Sequence, residues 1–170
     1  MKYTSSEANK LLRRLNEERD TLLMMEQKSS VFLAAMGEDP ESVRPEYDFE
    51  KVRKTLEELD RKIRIVKHAV NRFNLEHQVA GFEMTIDQML IYIPQLTGRK
   101  QKLAMMKNRL PKQREMGQSY GRTGNIIDYS YANYDIKAAE AAYEAVADEL
   151  ARAQTALDVL NNTETMEIVI

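Results

Sequence analysis

Few residues of this chain have the types and spacing that chemistry requires. There is no cysteine, which excludes disulfides, thiol nucleophiles and zinc–thiolate sites. The only histidines are His68 and His77, with Glu76 beside the second. A metal site needs further ligands at helical spacing on the same face, and neither histidine has one. His68 also falls off the apolar repeat around it, which predicts a solvated ring. Gly117, Gly121 and Gly124 form a glycine-rich run, but it lacks the Lys-Ser/Thr of a phosphate-binding loop. No nucleophile elbow or zinc-protease motif is present, and the carboxylates fall on helix faces as solvated charge. The sequence therefore assigns no catalytic residue, no cofactor or cofactor-binding residue and no metal ligand.

Two polar clusters remain as a candidate interaction surface. Tyr120, Arg122, Tyr129, Tyr131 and Tyr134 are the densest aromatic group. Tyrosines beside arginine can stack nucleobases or form a protein-binding hot spot. The purely structural reading, a strand laying its aromatic face on the helices, is preferred. Asn71, Arg72 and Asn74 could bind an anion or a partner's backbone. Their preferred reading is a helix C-cap that orients the following loop. The pairs Met24-Met25 and Met105-Met106 could be adaptable binding surface, although their helical spacing favours core.

These residues must be positioned by helices. Thr4 with Glu7 reads as a capping box opening a helix from about Ser5 to Ala35. Ala8, Leu11, Leu15, Leu22, Met25 and Phe32 form its stripe, and Gly37 and Pro40 end it. After a loop from Gly37 to Tyr47, Asp48 caps a second helix. Val52, Leu56, Leu59, Ile63, Val66, Val70 and Phe73 recur along it at alternating spacings of four and three, a heptad seam. Gly81 breaks the chain, and Thr85 with Gln88 caps a third helix carrying Met89, Leu96, Leu103 and Leu110. Pro94 predicts a kink there. Residues 115–135 are a Tyr/Gly-rich extended connection with a short strand near 126–134. A fourth helix from about Ile136 to Asn161 repeats the heptad spacing through Ala139, Tyr143, Val146, Leu150, Ala153, Leu157 and Leu160. The tail from Met166 to Ile170 is apolar and β-prone, suited to pairing with the Tyr-rich segment or another subunit.

The expected fold class is mainly α: about four long antiparallel helices packed in coiled-coil fashion, with a small β element near 126–134 that the tail could join. All 170 residues are expected in one helical domain. A formal net charge of −2, with Lys and Arg read as spread rather than blocked, argues against nucleic acid and anionic membrane as partners. No secretory signal and no membrane-length apolar run is legible, so a cytoplasmic address is expected.

One stretch is not generic coiled coil: Val70-Asn71-Arg72-Phe73-Asn74, then Gly81, then Met84-Thr85-Ile86-Asp87-Gln88-Met89-Leu90. It resembles the Asn-Arg-x-Asn … Gly … Thr segment of the septicolysin-like family of small, uncharacterised bacterial proteins. Leu56-Glu57-Glu58-Leu59 upstream and Tyr120-Gly121-Arg122 downstream match in the same order, as does a helix from Asp135 to Leu157-Asp158. The family's closing Asn-Trp pair is absent, since the chain has no Trp. The resemblance implies a bacterial protein and carries no catalytic set.

The functional expectation is a non-enzymatic interaction or assembly protein, a homo-oligomeric helical scaffold, with another protein as an alternative partner. Two other readings stand beside it. One is a nucleic-acid-associated protein using the Tyr/Arg loop, and the other is an enzyme whose site forms between subunits and leaves no local motif.

Overall fold

The computed structural model of the chain describes residues 1–114 and 128–170. Of the tyrosine cluster, Tyr120 and Arg122 lie outside the described residues, as do Ile126, Ile127 and the glycine-rich run. The rest is mainly helical with two small antiparallel ribbons, and it divides into two compact units: Met1–Gln78 with Asp158–Ile170, and Val79–Leu157.

In the first unit, β1 (Lys2–Thr4) leads directly into α1 (Ser5–Ser29). The Thr4 hydroxyl accepts from the Glu7 N–H, and the Glu7 carboxylate accepts from the Thr4 N–H at 2.8 Å, so the expected capping box is formed. Helix α1 ends at Ser29, six residues before the expected Ala35. Val31 and Phe32 lose side-chain freedom in a helix, and Val31, Leu33 and Met36 stay exposed, so no burial offsets that cost. Gly37 takes a left-handed turn at φ +87. The expected loop contains one further helical turn, α2 (Pro40–Val43), with Asp39 as its cap and Pro40 at its first position.

Helix α3 (Phe49–Glu76) starts at the expected Asp48 cap, whose carboxylate accepts from the Lys51 N–H. It runs antiparallel to α1. Tyr47, just before α3, donates to Glu26 near the end of α1, while Asp60 accepts from Arg19 further back. Ala8, Leu11 and Leu15 of α1 are buried, as are Leu59, Val66, Val70 and Phe73 of the α3 seam. The tail forms β4 (Thr165–Glu167) and pairs with the N-terminus, Tyr3 opposite Met166, rather than with the Tyr-rich segment. The pairing continues where the Met1 nitrogen donates to the Ile168 carbonyl and the Ile168 N–H to Met1. Met166 and Ile168 point inward and are buried.

In the second unit, Gly81 turns at φ +78 and Thr85 with Gln88 forms the second capping box. Helix α4 (Ile86–Lys107) stays helical across Pro94 and buries Ile86, Met89 and Leu96, while Leu110 is exposed beyond its end. Helix α5 (Ile136–Thr163) buries Ala139, Leu150, Ala153 and Leu157 from its expected seam. Within the unit α4 and α5 are antiparallel: Tyr92 donates to Glu149, whereas Lys107, further along α4, meets Glu144, earlier on α5. Between them β2 (Lys112–Arg114) and β3 (Tyr129–Tyr131) make the second ribbon. Among the described helices none is long and apolar enough to cross a membrane.

Candidate functional site

Three surfaces gather the residues that could act. The first is a cleft of about 520 Å³ between the last turns of α3 and strand β4. His68, Arg72, Glu76, His77 and Glu167 line it. Arg72 is paired with Glu76 at 2.9 Å, and both are exposed. The His77 ring stacks on Phe73 at 3.9 Å between centroids, with Nδ1 3.0 Å from the Phe73 carbonyl. Its backbone N–H donates to the same carbonyl. His77 is therefore the C-cap of α3. The expected cap residues Asn71, Arg72 and Asn74 sit inside the helix, because it runs on to Glu76. Asn71 is exposed and Asn74 half-buried, and of the three only Arg72 lines the cleft. Among the described residues no group of three or more His, Asp or Glu could hold a metal.

The second surface is the far end of the α1–α3 hairpin. A groove of about 380 Å³ is lined by Glu18, Thr21, Leu22, Met25, Thr55 and Leu59. Met25 is 60% exposed there and Met24 63%. Both were expected in the core, as was Met105, which is also exposed. Helical spacing puts Met25 on the seam, but burial on α1 stops at Leu15, although α3 still buries Leu59. Val31, Leu33, Met36, Val43 and Phe49 are exposed as well.

The third surface is the β2–β3 ribbon. Lys112 faces Tyr131 and Arg114 faces Tyr129. The tyrosines were expected to lie on the helices. Instead Tyr129 and Tyr131 are exposed and Ser130 is the half-buried member of the strand. Tyr134 separates from them: it is half-buried and its hydroxyl donates to the Met106 carbonyl at 2.9 Å. The Lys107 ammonium lies 3.7 Å from the Tyr143 ring centroid, a further tie between α4 and α5. Reading Lys and Arg as evenly spread missed a local excess. From Arg99 to Arg114 there are seven basic residues and no acidic one, which a charge count in short windows reveals.

Neither a family model nor a curated protein matches the chain. The structure is similar to the crystal structure of a functionally unknown conserved protein from Corynebacterium diphtheriae, with a TM-score of 0.63 over 98% of this chain and 100% of that one. Identity is 15%, so the likeness shows the mainly helical fold with small β elements and nothing about activity.

Proposed function

We propose that this protein is a non-enzymatic assembly protein in which two copies join through the far ends of their α1–α3 hairpins. The observation that carries this reading is the unfinished seam. Seven large apolar side chains between residues 24 and 49 are exposed: Met24, Met25, Val31, Leu33, Met36, Val43 and Phe49. Met25 lines the groove with Leu22 and Leu59, and all seven fall between the last turns of α1 and the first residue of α3. Apolar surface gathered at one end of a domain marks an interaction site more often than scattered single residues do. A second copy is the natural occupant, because two antiparallel hairpins set face to face complete a four-helix bundle and cover the same residues on both copies. The heptad spacing of α3 suits such packing. The septicolysin-like resemblance adds no catalytic set, and in the α3–β4 cleft Arg72 is paired with Glu76 and His77 is held against the Phe73 carbonyl.

Light scattering behind a sizing column, over a wide concentration range, tests the reading. A mass of twice the 19.7 kDa chain is expected, falling to one chain in Leu22→Glu with Met25→Glu. A wild-type monomer at every concentration, or a dimer that the double variant leaves intact, overturns it.

A further inference from the structure

The β2–β3 ribbon carries chemistry that assembly through α1 and α3 leaves unused. In an antiparallel pair, alternate residues of one strand and their opposed partners point to the same side. Lys112, Arg114, Tyr129 and Tyr131 therefore share one face of the ribbon, with Gln113 and Ser130 on the other. Tyr129 is 45% exposed and Tyr131 62%. The Lys112 ammonium lies 4.1 Å from the Tyr129 ring centroid and 5.5 Å from that of Tyr131. Cation and rings thus form one ordered surface.

A basic run leads into β2, while Asp128 stands just before Tyr129 on the other strand. Of the seven basic residues from Arg99 to Arg114, Lys107 is engaged by Glu144 at 3.6 Å. Arg99, Lys102, Arg109, Lys112 and Arg114 make no salt bridge among the described residues. A chain of net charge −2 thus carries a local basic run that leads from α4 into the strand holding Lys112 and Arg114.

We infer that this ribbon face binds single-stranded nucleic acid. Arg109, Lys112 and Arg114 pair with phosphates, and Tyr129 and Tyr131 stack against unpaired bases. The combination selects the ligand: a strand of phosphates carries negative charge and flat apolar faces at once. An acidic peptide offers the charge without the faces, and a duplex keeps its base faces within its own stack. The site shares no residue with the α1–α3 groove, so it does not depend on the assembly reading.

The test is fluorescence anisotropy of the full chain with a labelled 15-nucleotide oligo-dT, and with labelled polyglutamate and a duplex of equal length. Saturable binding to oligo-dT is expected at 50 mM salt. Neutralising about three phosphates would weaken it about 20-fold at 200 mM, from a slope of roughly −0.7 per phosphate. Tyr129→Ala and Tyr131→Ala each lower affinity for oligo-dT about thirtyfold, the mid-range for one stacked base. The phenylalanine variants at these positions retain it. Lys112→Glu with Arg114→Glu abolishes binding. Arg99→Glu with Lys102→Glu, on the helix surface and away from the ribbon's fold, weakens it without disturbing the tyrosines. No binding at 50 mM salt overturns the inference. So does tyrosine-independent binding, or polyglutamate or duplex bound as tightly as oligo-dT, which would mark a general polyanion site.

Discussion

The β1–β4 and β2–β3 ribbons are both antiparallel pairs with three residues in each strand, yet their side chains meet opposite surroundings. The first sends Met166 and Ile168 into the interior and joins the two ends of the chain. The second leaves both strand tyrosines exposed, with Lys112 over their rings. An isolated two-stranded ribbon is marginal in water, so each needs support from elsewhere. For β1–β4 that support is apolar burial beside α3, and the backbone serves stability. For β2–β3 burial supplies little, and the tyrosine side chains are left facing solvent. A short ribbon thus acquires its role from the surface on which its alternate residues land.

Truncating each ribbon should break this comparison first. Ile168→Ala should cost about 2–4 kcal/mol, the range for emptying a well-packed aliphatic site, and Tyr131→Ala less than about 1 kcal/mol. Urea unfolding of the two variants measures the gap, and equal losses would mean that β2–β3 is a structural element too. The caps come next. Thr4→Ala and Thr85→Ala should each cost about 1 kcal/mol, since each removes one side of a capping box. If β1 adds support through its pairing with β4, the Thr4 variant shows the larger fall in thermal midpoint.

Tyr92 sharpens the contrast through pH. Its hydrogen bond to Glu149, with partial burial and the carboxylate's charge, holds its phenol above the usual value. A raised folded pKa means that the contact's stability is complete below the unfolded value of about 10 and is lost as pH rises through the higher folded one. Tyr92→Phe should therefore cost about 1 kcal/mol near neutral pH and flatten the alkaline limb of the stability curve. The Arg19–Asp60 pair at 2.7 Å should matter least. Both side chains are more than a third exposed, so Asp60→Asn should shift stability by no more than about 0.5 kcal/mol, measured in the same urea series.

Local features of the sequence were legible because their partners lie within one turn. Thr4 with Glu7, Asp48 with Lys51, and Thr85 with Gln88 all form as their spacing requires. The α3 heptad is equally plain, and each of its seven positions is buried or half-buried. His77 escaped notice because nothing local marks a histidine as a C-cap; its ring is held by Phe73, one turn back, only once the helix stops there. Met24 and Met25 failed as core residues because periodicity reports which face a side chain is on, not whether a neighbour covers it. The same limit inverted the reading of the tyrosine strand. Alternation puts Tyr129 and Tyr131 on one side and Ser130 on the other without saying which side is inward.

By itself the sequence determined helices, caps, breaks and the shared faces of strands, since these depend on hydrogen bonds and side-chain directions within a few residues. It also determined the unbalanced charge from Arg99 to Arg114, which needs only counting. Tertiary structure alone decided that the tail pairs with residues 2–4 and that burial on α1 stops at Leu15 while Met24 and Met25 stay exposed. It also decided that two tyrosines face solvent beside a lysine. Those outcomes turn on which surfaces meet across long stretches of chain, and burial belongs to both surfaces of a contact.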